Sequence, residues 1–366
     1  MAQQPLNKQP LNRVLITRFS AIGDVAMSIP VVYSVARSNP SVEFVYVTRR
    51  SMVSLFVNRP DNLQVVGIDL KEYPSLAGLR RLYHELAGTW HPDAYADLHG
   101  VLRTYYLALR FRASGIKVAR INKGRSRKRA LTRRHNKVML PLVSQRARYR
   151  EVFYSLGLTV EEHFSSLFGD GKGDPSAFAE VTSPKRGGEQ WVGIAPFAKH
   201  RGKIYPPELM HRVIGLLLGS RPDLKIFLFG GGDDEERVLS EWARRWPDNI
   251  VSLAGKKLGF DRELALLSHL DVMVSMDSAN MHLASIVAVP TVSIWGATHP
   301  YCGFKGWKQQ DRDIVQLSLT CRPCSVFGNK PCQRGDYLCL NGIPPRHVAD
   351  KVLDRLLLRQ MHPTLR

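Results

Sequence analysis

No run in the 366 residues approaches the roughly 18 consecutive apolar residues that a membrane-spanning helix needs. The opening stretch, Met1–Asn12, is polar and rich in Pro and Gln, and it lacks the apolar core of a secretory signal. These absences lead us to expect a cytoplasmic protein with a short frayed N-terminus. The chain also lacks a G-x-G-x-x-G turn. Its first strand–turn–helix stretch, Arg13–Arg37, carries a single glycine, Gly23, which makes a dinucleotide fingerprint weak. Asp and Glu are absent from Lys117–Arg150, where thirteen Lys and Arg stand. Cysteine is scarce and clustered. Cys302 is alone, while Cys321, Cys324, Cys332 and Cys339 fall close together. In a cytosolic chain that clustering favours a metal or redox role over structural disulfides.

An apolar fraction of 44% supplies real cores, and the length suits two domains. The net charge of +20 favours polyanionic partners: nucleic acid, an anionic membrane, or phosphorylated and carboxylated substrates. Short β-branched runs alternate with helical stretches from Arg13 to Ile121, then again from Trp191 to Trp295. This is the pattern of a doubly wound parallel sheet in each half. Residues 169–188, rich in Gly, Pro and charge, read as an interdomain linker or an exposed loop leading into one. The basic run 117–150 reads as a solvated, mobile segment or as a docking site for anions. Aromatic interleaving there is thin, with only Tyr149, so a stacking platform for nucleic acid is poorly supported.

In open parallel sheets, ligands sit at the carboxyl ends of the strands. Residues 276–293 read as strand end, tight turn and helix. There Asp277 is placed to accept from sugar hydroxyls, Ser278 and the following N–H groups to hold an anion, and His282 to donate to phosphate. Asp277 or Ser278 also suits plain helix capping, and His282 a satisfied core position. Asp24 follows the first strand at a helix start, fit for a cap or for a general base at the cleft mouth. Lys199, His200, Arg201 and Lys203 follow the strand Trp191–Ala195 and suit a diphosphate. Asp234 or Glu235, after three glycines, suits a ribose hydroxyl pair or simply a helix dipole.

Taken in order, Ser20-Ala-Ile-Gly-Asp-Val25 with Pro30, Lys203-Ile-Tyr-Pro206, Met276-Asp-Ser-Ala-Asn-Met-His-Leu-Ala284 and Pro290–Pro300 resemble the heptosyltransferase family of glycosyltransferases, family 9. Asp97-Leu-His-Gly-Val-Leu-Arg103 adds a weaker match. The resemblance implies a GT-B fold: two Rossmann-like, doubly wound parallel-sheet domains facing a cleft. The division it suggests is a flexible 1–12, an acceptor-binding domain 13–185, a nucleotide-sugar-binding domain 186–345, and a closing helix 346–366. It implies an inverting, metal-independent transfer of heptose from a nucleotide sugar, an ADP-linked one, to an anionic lipopolysaccharide inner-core acceptor. Asp24 would be the base. Lys199, Lys203, Asp234, Asp277, Ser278 and His282 would bind the donor, and Arg103, Arg120, Lys123 and Arg125 the acceptor. No Asp-x-Asp pair stands at a plausible cleft strand end, in keeping with chemistry that needs no cofactor.

The implied setting is cytoplasmic and peripheral to the inner membrane. Two departures from the family pattern are Ala279, where a glycine is usual, and the pair Ala198 and Lys199, where hydroxyl residues are frequent. Alternatives are a different nucleotide-sugar donor, a GT-B-like epimerase or hydrolase, or a nucleic-acid-binding protein using 117–150. The last would leave the Lys203 and Asp277 loops without a role. Cys321, Cys324, Cys332 and Cys339 suit a structural zinc, a redox pair or reduced buried thiols. Only the first spacing, Cys321-x2-Cys324, is that of a zinc knuckle.

Overall fold

The structure is a computed structural model that describes residues 11–361. Most of the expected frayed terminus and the last five residues of the expected closing segment lie outside the described residues. The chain divides into two compact units. One comprises Met1–Lys123 with Arg146–Phe164, the other Gly124–Gln145 with Ser165–Arg366. This differs from the single boundary near residue 185 read from the sequence.

The first unit alternates strand and helix: β1 (Arg13–Thr17), α1 (Ile22–Ser38), β2 (Glu43–Arg49), β3 (Leu63–Ile68), α2 (Leu76–Trp90), β4 (Ala94–Asp97), α3 (Leu102–Ala113) and β5 (Lys117–Arg120). The next helix, α4 (Arg125–Thr132), belongs to the second unit, and α5 (Gln145–Leu156) returns almost entirely to the first. The sheet order is β3-β2-β1-β4-β5, with every pair parallel. Val14, Leu15 and Ile16 of β1 are fully buried. Helices cover both faces of such a sheet, so a central strand reads as an unbroken apolar run. Burying each of these side chains stabilises the fold by roughly 1.5–3 kcal/mol. Because β2 and β4 flank β1, the order reverses at the carboxyl ends of β1 and β4, and a crevice opens there. Asp24 follows β1, and His99 follows β4.

The second unit contains β6 (Trp191–Ala195), α6 (Pro207–Ser220), β7 (Lys225–Leu228), α7 (Asp233–Arg245), β8 (Ile250–Ser252), α8 (Phe260–Ser268), β9 (Val272–Met276), α9 (Ala279–Ile286), β10 (Thr291–Ile294), β11 (Ile314–Val315), α10 (Leu338–Asn341) and α11 (Pro345–Met361). The parallel order is β11-β10-β9-β6-β7-β8. Here β9 and β7 flank β6, so the reversal lies at the carboxyl ends of β6 and β9. Val348, Ala349, Val352 and Leu356 of α11 complete the core beneath this sheet.

Two expectations change. Residues 169–188 are not a free linker. Phe178 is fully buried, 5.2 Å from the His269 ring. A Cβ on Gly173 would lie 2.5 Å from the Cα of Ala265, and Lys185 pairs with Asp271 at 2.5 Å. A composition typical of linkers here serves close packing against α8. The basic run is not a uniform solvated segment either. It forms β5, α4 and α5, and Tyr149 is fully buried with its hydroxyl donating to the carbonyl of Asp24 at 3.2 Å.

Candidate active site

In the second unit, the turn after β9 places Asp277 almost wholly out of solvent, and its carboxylate meets Lys203 Nζ at 2.8 Å. Lys203 ends a single helical turn, Arg201–Lys203, after β6. The two residues singled out from separate motifs therefore form one ion pair at the reversal point of the sheet. Ser278 stands at the N-cap of α9, its Oγ 3.2 Å from Ser275 Oγ. Ala279 opens the helix, so the N-terminal N–H groups of α9 sit beside the pair. His282 lies one turn further in and is buried.

The loops around this pair are held closely. Ala297 N donates to Gly202 O at 2.8 Å. A Cβ on Gly202 would lie 2.8 Å from Gly328 O. A Cβ on Gly328, whose φ is +74°, would lie 2.6 Å from Lys203 Cγ. The backbone of Gly328 thus forms the wall against the Lys203 stem. Behind it, buried Arg322 donates to the carbonyls of Trp295, Gly296, Leu317 and Thr298, and to Gln316 Oε1. One guanidinium fixes the loop after β10 to the cysteine-rich segment. Sequence reasoning missed both Gly328 and Arg322. A buried arginine inside a cysteine cluster gave no signal of its purpose.

Lys199 is exposed, and the Asp234 carboxylate points into solvent, 3.9 Å from Arg237. Glu235 instead turns back on the glycine loop and accepts from Gly231 N at 2.9 Å. Of the two acids weighed for a ribose, Glu235 is the one set against the strand end.

In the first unit, Asp24 lies in the first turn of α1, its side chain about a third exposed, and pairs with Arg18 Nη2 at 2.5 Å. Arg18 is buried and also donates to Leu98 O at 2.8 Å. A carboxylate in this turn complements the helix dipole, and Arg18 holds it in one orientation. His99 lies beside them, its Nε2 3.4 Å from Ser20 Oγ. Burial first, then the cations Arg18, Lys123 and Arg49, bring the His99 pKa down to about 3, so its ring is neutral at physiological pH.

The four residues proposed for the acceptor do not form one group. Arg120 is engaged by fully buried Asp97 at 3.1 Å and stacks over the Tyr105 ring at 4.5 Å, so its charge balances a core carboxylate. Lys123 stands next to Gly100 and His99. Arg125 belongs to the second unit. Arg103 lines a cavity of about 910 Å³ at the carboxyl ends of β2 and β3, with Arg49, Arg50 and Lys71. Those three cations were not singled out from the sequence, because Arg49-Arg50, Lys71 and Arg103 stand on separate segments and no motif joins them.

None of the five cysteines is in a disulfide. Cys321, Cys324, Cys332 and Cys339 line one small cavity. Among the described residues, however, no group of three or more His, Cys, Asp or Glu side chains is placed to hold a metal ion. Burial pushes the Cys339 thiol up to about 11 and raises that of Cys324.

Comparison with known proteins bears on this geometry. A model of glycosyltransferase family 9 (heptosyltransferase) matches residues 94–332. Lipooligosaccharide heptosyltransferase 2 of Campylobacter jejuni is 23% identical over 130 residues, 35% of this chain and 40% of that protein. The chain thus spans about two fifths of the length of this relative. Lipopolysaccharide heptosyltransferase 1 of Pseudomonas aeruginosa is 23% identical, with 94% of this chain and 98% of that one covered. Among solved structures, a family 9 glycosyltransferase from Veillonella parvula superposes with a TM-score of 0.71 at 17% identity, covering 96% of this chain and all of that one. An Escherichia coli heptosyltransferase solved with ADP gives 0.63 at 16% identity, covering 94% and 99%.

Proposed function

Since this chain belongs to glycosyltransferase family 9, the heptosyltransferases, we propose that it transfers heptose from ADP-heptose to an anionic inner-core acceptor of lipopolysaccharide, with inversion and without a metal. The observation that carries this reading is the Lys203–Asp277 pair at the head of α9. A buried carboxylate beside a lysine and free helix N–H groups offers acceptors for sugar hydroxyls and donors for a diphosphate in one place. Glu235 takes the ribose, with Asp234 and Lys199 at the exposed rim. The ADP held by the E. coli relative supports the choice of base.

Asp24 takes the proton of the acceptor hydroxyl. The resulting oxygen attacks the anomeric carbon from the face opposite the diphosphate, the bond to the diphosphate oxygen breaks, and ADP leaves. Arg18, paired with the Asp24 carboxylate at 2.5 Å, holds it in one orientation. Lys203, His282 and the α9 N-terminus stabilise the charge that grows on the leaving oxygen, as preorganised donors do. Arg49, Arg50, Lys71 and Arg103 dock phosphate or carboxylate groups of the acceptor. The working place is the cytoplasmic face of the inner membrane, where a lipid-linked acceptor is met.

A thermal-shift titration with ADP-heptose and other nucleotide sugars, coupled to a transfer assay, tests this. ADP-heptose raises the melting temperature of the wild type and of Asp24→Ala above their own ligand-free baselines, and much less that of Lys203→Ala. Transfer is lost in both variants. No stabilisation by any nucleotide sugar, or wild-type transfer by Asp24→Ala, would overturn the assignment.

A further inference from the structure

The segment that joins the second unit ahead of the rest of it, Gly124–Gln145, has a surface that neither site uses. Arg125, Arg127 and Arg129 of α4 are exposed, as are Arg133 and Arg134 just beyond it. An extended strap follows, with Val138 42%, Met139 43%, Leu140 65% and Val143 48% exposed, and Pro141 exposed between them. Five exposed guanidinium groups thus stand beside a contiguous exposed aliphatic stretch.

The strap is built in, not loose. Val138 N donates to Ala130 O at 3.1 Å, and Leu142 N donates to Tyr301 O at 2.8 Å. Lys137 Nζ donates to the carbonyls of Thr320, Cys321 and Pro323. Backbone groups at both ends are therefore satisfied by the second unit, while the large apolar side chains face outward. An anchored segment whose aliphatic side chains stay exposed suits the boundary of a bilayer, where such side chains are favoured.

We propose that residues 125–143 dock this protein on an anionic lipid bilayer, with Met139 and Leu140 entering the headgroup–acyl boundary and the arginines pairing with lipid phosphates. The proposal deepens the functional reading above, since it rests on a membrane-held acceptor. Charge selects the partner: no Asp or Glu lies between Lys117 and Glu151, so the patch carries one sign. Its exposed apolar side chains, Val138, Met139, Leu140 and Val143, are aliphatic, which suits acyl chains rather than base stacking; the exposed rings of Tyr301 and Phe327 come from other loops. No helix among the described residues is long and apolar enough to cross a membrane, so attachment here is by surface contact.

The test is flotation of the full chain with phosphatidylglycerol–phosphatidylcholine vesicles against pure phosphatidylcholine vesicles. Wild type partitions onto the anionic vesicles and not the neutral ones, and added salt weakens the partitioning. Arg127→Gln/Arg129→Gln/Arg134→Gln weakens it about a hundredfold, taking about fivefold for each basic residue at an anionic surface. Met139→Ser/Leu140→Ser weakens it roughly tenfold. These side chains are exposed, so both variants melt like wild type.

Equal partitioning onto neutral vesicles overturns the proposal. So does a Met139→Ser/Leu140→Ser variant that partitions like wild type, which would leave a plain anion-binding patch. Transfer to a water-soluble acceptor fragment, unchanged in Met139→Ser/Leu140→Ser, separates docking from chemistry. If no variant or wild type transfers heptose while flotation behaves as stated, the enzymatic reading fails and the docking surface stands.

Discussion

Replacing Gly328 by Ala tests whether the cysteine-rich segment sets the donor site. Gly328 has φ +74°, so an alanine there meets a left-handed backbone cost of roughly 1–2 kcal/mol. The new Cβ would fall 2.6 Å from Lys203 Cγ and 3.3 Å from its Cδ and Cε. Contact at Cγ cannot be relieved by swinging the far end of the lysine. The backbone before it is no freer, because a Cβ on Gly202 would already lie 2.8 Å from Gly328 O. Lys203 must shift, and its 2.8 Å pairing with Asp277 is strained or lost. A charge-assisted hydrogen bond from lysine to phosphate contributes about 1.5–3 kcal/mol. Donor affinity should therefore fall by roughly tenfold to a hundredfold. Calorimetric titration with ADP-heptose measures this, in protein whose circular dichroism shows an intact fold. The decisive step is a double-mutant cycle. Gly328 acts through Lys203, so Gly328→Ala should weaken binding in the wild type and change it little in a Lys203→Ala background. Equal losses in both backgrounds, or wild-type affinity in Gly328→Ala, would refute the reasoning.

Three further expectations concern stability. The folded state holds His99 neutral with its pKa down to about 3, while the unfolded chain takes up a proton near 6.5; its contribution is complete above 6.5 and is lost as pH falls towards 3. His99→Gln should flatten the acid limb of a melting-temperature profile over that window, and an unchanged limb would count against the burial of this ring. Glu263 has the opposite sign: burial raises its pKa to about 7 from 4.5, so stability declines as pH rises between those values, and Glu263→Gln should raise the melting point above pH 7 while leaving it nearly unchanged below pH 4.5. Finally, Asp313 and Arg355 form a buried, two-pronged pair, so Asp313→Asn should cost about 3–5 kcal/mol in urea unfolding, and Asp313→Leu/Arg355→Met should recover much of that loss.

The alternation of strand and helix was legible because central strands such as β1 and β9 are buried on both faces and read as short apolar runs. Lys203 and Asp277 were legible as strand-end residues, though only the structure joins them. Arg18 was not, since it directly follows the apolar run of β1 and its turn back onto Asp24 leaves no periodic trace. The division into units misled for a physical reason. Gly marks linkers by freeing the backbone and Pro by interrupting helix and strand, yet at Gly173 the missing side chain is what lets two backbones meet. Arg120 misled similarly: a cation at a strand end was read as facing a ligand, whereas it neutralises Asp97 inside the protein. A scattered set such as Arg49, Arg50, Lys71 and Arg103 becomes a site only when strand order brings it together.

The place of α11 sets an order on synthesis. The first unit has all its residues once Phe164 has been added, and units of this kind fold as they emerge. The second cannot close its core until Val348, Val352 and Leu356 arrive, and Nε2 of buried Gln190 donates to the carbonyl of Leu356. Until then the segment 124–145, made early but seated on residues made late such as Tyr301, waits on the ribosome without the partners that hold it in place. A nascent chain stalled before Leu356 would thus present a finished first unit tethered to an open, adhesive second one, a natural client for chaperones.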